Sequence, residues 1–322
     1  MFIKKILNKK KVINLAILLF VTITIFYLLF TKISLIKTIQ LIQHSNMLYL
    51  LSSLLLLCFI VFLLILRWYI IITKFSSSIT FKQSMISLLS SLPLNSFLPS
   101  KAGDLYKAYY FKHIGFSRVL GAVFTERIFD VFALIVLLLS SAIFLHNTLF
   151  TLIALSLLII LLVIFIFFRL WNKLPFFKNK NILNKLSSSF RFFIKDPLNS
   201  LLILAISIFS WGLSLLQLYL LFMALSIKIP LIYFFATITI VIFISMIPIT
   251  VAGMGTRESA ILYFFSSYGT NESLLAAGLL FSFFRYWLWA IIGLPFLIFS
   301  LKRVDDNLED KNILKTNEID VN

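Results

Sequence analysis

Apolar residues along this chain come in long unbroken blocks, not in the alternation of a strand or the seven-residue repeat of a soluble coiled coil. The blocks cover roughly residues 12–30, 48–72, 119–145, 148–168, 200–226, 230–249 and 273–300. At ~1.5 Å per residue, each approaches or exceeds the ~30 Å hydrocarbon thickness of a bilayer. The pattern predicts an all-α, polytopic transmembrane helix bundle of about seven or eight spans. The first block follows a basic start, "MFIKKILNKKK", yet it is longer than a signal core and leads to no small-residue cleavage site. It reads as an uncleaved first span.

Two interruptions stand out, one in each half of the chain. The first is "LPLNSFLPSKAGDLYKAYYF", with Pro93, Pro99, Gly103 and Asp104; the second is "IPITVAGMGTRESAILYFF", with Pro248, Gly253, Gly255, Arg257 and Glu258. A helix break frees backbone N–H and C=O groups that hydrocarbon cannot satisfy, so it is tolerated only inside protein or beside a wet cavity. Paired Gly/Pro breaks at corresponding positions point to a binding site made from discontinuous helices, where a half-helix N-terminus receives an anion. The alternative reading puts both breaks in loops at the membrane surface, with their charges facing water.

Lysines at 4, 5, 9, 10 and 11, the basic loop 169–199 and the pair Lys302 and Arg303 place both termini on the cytoplasmic side of a cell membrane. Seven crossings cannot return the chain to its starting side. The segment 256–268 is therefore expected to complete a broken helix, carrying on what 230–249 begins, and 83–98 is expected to be re-entrant or interfacial.

Composition sharpens this picture. Hydrophobic residues make up 61% of the chain, with a mean hydropathy of +1.05, far beyond a soluble domain. The formal charge of +17 comes from basic residues in short loops beside spans, which favours orientation and anionic-lipid contact over nucleic acid. A single cysteine, Cys58, rules out a disulfide framework, and no metal cluster or nucleotide-binding loop is visible. No cofactor is expected. Residues 1–303 form the membrane domain, and 304–322 an acidic, disordered cytoplasmic tail.

Only six acids precede that tail, and four of them, Asp104, Glu126, Asp130 and Glu258, lie in or beside the breaks. Glu126 and Asp130 share a helix face, with Arg127 about 100° away. Arg285 falls near the middle of the last block, where an unpaired cation is costly. The candidate substrate-binding set is Asn95, Asp104, Glu126, Arg127, Asp130, Arg257, Glu258 and Arg285, with no catalytic residue assigned. For the acids, structural pairing with Arg127, Arg257 or Arg285 is the competing reading, and for Arg127 snorkelling. Arg67 and Lys74 read as interfacial anchors, and Trp289 as a packing or lipid-facing group.

The two stretches together resemble the lysylphosphatidylglycerol synthase transmembrane family, whose pattern joins asparagine, proline, Gly-Asp and Glu-Arg-x-x-Asp to a later proline and Gly-x-Gly-x-Arg-Glu. The resemblance spans about 1–303 and singles out Asn95, Pro99, Gly103, Asp104, Glu126, Arg127, Asp130, Pro248, Gly253, Gly255, Arg257 and Glu258. It implies a flippase-like integral membrane protein that binds and moves a polar lipid, and the mixed signs of the candidate residues suit an aminoacylated or glycosylated phospholipid better than a simple cation. The partners it implies are membrane lipids and a lipid-modifying enzyme. The family's two-part enzymes carry a soluble aminoacyltransferase domain, expected to be absent here, so transferase activity is not expected. The alternative is a membrane-embedded transferase or an accessory subunit in lipid modification.

Overall fold

The computed structural model describes residues 9–170, 196–247 and 249–302. Pro248, the basic loop from 171 to 195 and the acidic tail lie outside the described residues. Six long helices form the frame: α1 Lys9–Lys32, α3 Met47–Thr73, α6 Phe116–Phe144, α7 Thr148–Leu170, α8 Pro197–Ala224 and α11 Asn271–Lys302. The shortest, α7, has 23 residues, enough for ~35 Å. Every described residue lies in a helix, turn or loop.

Side chains set the helix ends where the apolar blocks begin. Asn46 caps α3 by accepting from the Leu48 amide at 3.0 Å. Asp196 caps α8 ahead of Pro197 at its first position, and Thr270 caps α11. Each satisfies an amide that the helix itself leaves open. Between α1 and α3, over residues 31–47, the chain does not form a simple loop. It bends by 87° into α2, Leu35–Gln43, which lies across the end of the bundle against α11.

α3 and α8 run antiparallel along their whole length. The Asn46 amide donates to the Ala224 carbonyl at one end (2.8 Å), and Lys74 pairs with Asp196 at the other (3.0 Å). Between them Phe59 meets Phe209 edge-on at 6.3 Å.

Both predicted interruptions are helical hairpins. In the first, α4 Phe81–Phe97 is followed by a 3-10 turn over Pro99–Asp104 and the short α5 Leu105–Tyr110. The return is antiparallel. Gly103 lies against Asn95, Asp104 against Asn95 and Ser91, and Tyr106 reaches Ser300, which also bonds Ser90. Glycine is required at 103 because a Cβ there would fall within 2.7 Å of Asn95 Oδ1.

The second hairpin corrects the expectation for 256–268. Helix α9, Leu231–Met246, leads to a tip in which Ala252, Gly253 and Gly255 take positive φ, and α10, Thr256–Phe264, then doubles back. Phe265 packs on Phe234 at 5.5 Å and Tyr268 on Tyr233 at 5.5 Å, so the end of α10 returns to the start of α9. At nine residues α10 is ~14 Å long, too short to cross. The chain re-enters instead of continuing. The Val251 amide, freed by the turn, donates to Thr22 Oγ1 of α1 at 3.0 Å, which meets the need for internal satisfaction of backbone groups.

The first hairpin starts from the end of the bundle where α3 finishes, and the second from the end where α8 finishes. Since α3 and α8 are antiparallel, the hairpins enter from opposite ends, and their tips touch. Among the described residues α3, α6, α8 and α11 are each long and apolar enough to cross a membrane, and the bent pair α1–α2 qualifies as a fifth span; with α7 and the two hairpins the apolar units number eight.

Candidate functional site

Beside the hairpin tips, three carboxylates and three cations close on one another. Arg67 of α3 donates to Asp130 Oδ1 at 2.5 Å and to Glu126 Oε1 at 2.7 Å, and also to Ser207 Oγ of α8 at 2.8 Å. Lys107 of α5 reaches Glu126 Oε2 at 2.8 Å and Asp104 Oδ1 at 3.4 Å. Arg127 holds Asp130 Oδ2 at 2.9 Å and contacts Asp104 Oδ2. Asn95 Nδ2 donates to Asp104 Oδ1 and the Trp211 indole to Asp130 Oδ1, each at 3.0 Å. Every carboxylate oxygen therefore has a cationic neighbour. Arg67, Lys107 and Glu126 are all 2% exposed or less, so the set holds together only because its charges cancel locally.

The network forms one wall of a cavity of about 80 Å³, also lined by Ser210 and Ser214 of α8 and by Arg285, Tyr286 and Trp289 of α11. That is room for several waters. A second cavity of about 260 Å³ adjoins it, bounded by Met246, Thr250, Ala252 and Gly253 of the second hairpin, and the two share Asn95, Arg127, Trp211 and Tyr286. Arg127 and Tyr286 stand near the middle of α6 and α11, so the chamber lies at mid-depth. Arg285 sits in a π-helical turn, Phe283–Trp287, a distortion frequent at functional sites. Its guanidinium lies over the Trp211 ring at 5.7 Å and makes no ion pair among the described residues.

Of the eight candidate residues, six line this chamber: Asn95, Asp104, Glu126, Arg127, Asp130 and Arg285. Arg257 and Glu258 do not. They form a separate buried cluster with Ser282, in which Glu258 Oε1 accepts from Ser282 Oγ at 2.6 Å and Oε2 accepts from the Gly255 amide at 2.6 Å. The Arg257 guanidinium contacts Ser282 and packs over Phe281 and Tyr286. The N-terminus of α10, expected to receive an anion, is thus already occupied by its own carboxylate. Gly103, Gly253 and Gly255 are in the hairpin turns, and Pro99 opens the first turn.

Arg67 corrects the anchor reading, because it is 1% exposed and central to the network. Lys107 was not singled out by the sequence, and Trp289 is a packing group, as one of its two readings had it, that also lines the cavity. The signal for Arg67 was its helix face: Leu57, Ile60, Leu64, Arg67 and Ile71 fall on one face of α3, buried apart from the half-buried Leu64, and an anchor would not share the buried stripe. Lys74, by contrast, is partly exposed and pairs with Asp196 near the bundle end. Among the described residues, no three His, Cys, Asp or Glu side chains converge to hold a metal.

A family model for the lysylphosphatidylglycerol synthase TM region matches residues 12–293. The chain belongs to this family. The matched stretch runs from the first turn of α1 into the second half of α11 and contains both hairpins and the whole chamber. A curated relative, the UPF0104 membrane protein MJ1078 of Methanocaldococcus jannaschii, is 29% identical over 181 residues, covering 53% of this chain and 77% of its own length.

Proposed function

We propose that this family member binds the polar headgroup of a membrane lipid in the mid-depth chamber and moves it between leaflets while the acyl chains stay in the bilayer. The observation that carries this reading is the pairing of an ionised cavity with two half-depth hairpins that enter from opposite ends. Each hairpin tip borders the chamber, so a small displacement of one or the other opens it toward one end of the bundle. That is the geometry alternating access requires. Helices packed around a purely structural ion network have no need of broken segments at its edge.

The basic N-terminal lysines and the basic loop between α7 and α8 favour cytoplasmic termini in a cell membrane. No phosphate-binding loop motif is present in the sequence, which favours downhill or ion-coupled movement. A lipid-modifying enzyme supplying or consuming the lipid is the expected partner.

The test uses the full chain reconstituted in vesicles with acyl-labelled fluorescent phospholipid and an impermeant quencher. Translocation predicts quenching beyond the outer-leaflet share, abolished by Asp104→Asn in protein that remains folded. Quenching equal to that of protein-free vesicles removes the reading.

A further inference from the structure

The charges lining the chamber also bear on which headgroup it takes; this rests on the lipid-translocation reading. Four cations line the cavity, Arg67, Lys107, Arg127 and Arg285, against three carboxylates, Asp104, Glu126 and Asp130. The first three cations already hold the carboxylates at contacts such as 2.5 Å for Arg67–Asp130 and 2.8 Å for Lys107–Glu126. An incoming ammonium would have to displace a seated cation into an apolar bundle. An incoming anion displaces nothing, because Arg285 has no carboxylate partner among the described residues. An uncompensated cation at mid-depth is costly even on insertion scales, and a bound anion relieves that cost.

Two further groups lining the same cavity lack partners among the described residues. The Trp289 indole N–H is a donor without an acceptor, and Asn95 Oδ1 is an acceptor without a donor. The other end of the Asn95 amide donates to Asp104, which fixes Oδ1 as the acceptor. A donor pair of guanidinium and indole beside one acceptor matches an oxyanion that carries a neighbouring hydroxyl.

We propose that the chamber is selective for an anionic, hydroxyl-bearing phosphodiester headgroup. Arg285 and Trp289 meet the phosphoryl oxygens, and Asn95 accepts from the hydroxyl. Cationic headgroups, aminoacylated lipids among them, are disfavoured. The preference comes from charge balance at the site, not from the overall basic charge of the chain.

The test is native mass spectrometry of the purified full chain with equimolar phosphatidylglycerol, phosphatidylethanolamine and lysyl-phosphatidylglycerol of identical acyl chains. Phosphatidylglycerol is expected to be retained about tenfold or more over the lysyl lipid, the scale of one charge-assisted contact. Arg285→Gln is expected to level the three lipids and Arg285→Lys to keep their order. Equal or reversed retention, no lipid retained by the wild type, or an unchanged order in Arg285→Gln overturns the proposal. Glycerol 3-phosphate at a concentration equal to the lipid's separates the sources: failure to displace the lipid supports a lipid headgroup, and displacement overturns it in favour of a soluble anion. The same lipids in the vesicle assay keep the two readings apart. Anion-selective retention without movement defeats translocation and leaves the headgroup assignment standing.

Discussion

Replacing Arg67 by methionine removes three contacts at once, to Asp130 at 2.5 Å, to Glu126 at 2.7 Å and to Ser207 at 2.8 Å. Glu126 keeps Lys107 and Asp130 keeps Arg127 and Trp211, but the network is left with one excess negative charge on side chains buried inside the bundle. Breaking one side of a buried pair costs about 3–5 kcal/mol, much of it the penalty for the charge left behind. Glu126→Gln alone leaves the opposite excess, at a similar cost. Arg67→Met combined with Glu126→Gln restores neutrality: Asp130 still has Arg127, and Lys107 still has Asp104. The double variant is therefore expected to lose far less than the sum of the singles, with a coupling energy toward the upper end of the about 0.5–3 kcal/mol range for contacting residues. The assay is reversible unfolding in mixed micelles of increasing denaturing detergent, followed by tryptophan fluorescence. Lys74→Met, at the partly exposed pair with Asp196, serves as a control expected to change little. Singles no worse than that control, or a double at the sum of the singles, would refute the claim that these charges are buried and mutually compensating.

Other consequences separate the parts of the fold. Arg257→Ala leaves Glu258 buried without its cation, so it is expected to lower the unfolding midpoint while the headgroup preference of the remaining folded protein persists, as judged by bound-lipid analysis. Gly103→Ala forces a Cβ into the Asn95 backbone and side chain, and is expected to destabilise by about 1–3 kcal/mol, measured in the same unfolding assay. Asp196, at the N-cap of α8, has its carboxyl held below the ordinary value by hydrogen bonds from Asn199 and Lys74. A depressed carboxyl contributes stability above its unfolded pKa and loses it as pH falls through the folded value. The acid-side fall in the midpoint below about pH 4 is accordingly expected to be shallower in Asp196→Asn than in wild type, and an identical pH profile would deny the cap this role.

The frame of the fold was readable because a transmembrane helix is written locally, as twenty or so apolar residues in a row. The hairpins were readable as breaks, since Gly103, Gly253 and Gly255 have no other reason to interrupt apolar sequence. Their direction was not. A nine-residue helix after a turn has the same sequence whether it continues or doubles back, and the contacts that decide it, Phe234 with Phe265 and Tyr233 with Tyr268, are tertiary. Scarcity marked Asp104, Glu126 and Asp130, because acids in hydrocarbon demand an explanation. Their partners were hidden for the opposite reason. Cations near helix ends are common and usually snorkel, so Arg67 and Lys107 looked ordinary until the fold closed gaps of 59 and 19 residues to Glu126. Arg257 and Glu258 misled by proximity to a break: their carboxylate caps the hairpin's returning helix, a local task that outranked any role on the cavity wall.

The central claim is a wet, net-positive chamber at mid-depth between the two hairpin tips. Cysteine labelling in vesicles tests it most directly, using single cysteines at Met246 or Ser214 in a Cys58→Ser background and small thiol reagents of opposite charge. Both positions are expected to react from the aqueous phase, the anionic reagent faster than the cationic one, while a cysteine at lipid-exposed Leu152 stays inert. If Met246→Cys and Ser214→Cys are as unreactive as Leu152→Cys, or react faster with the cationic reagent, the account is contradicted.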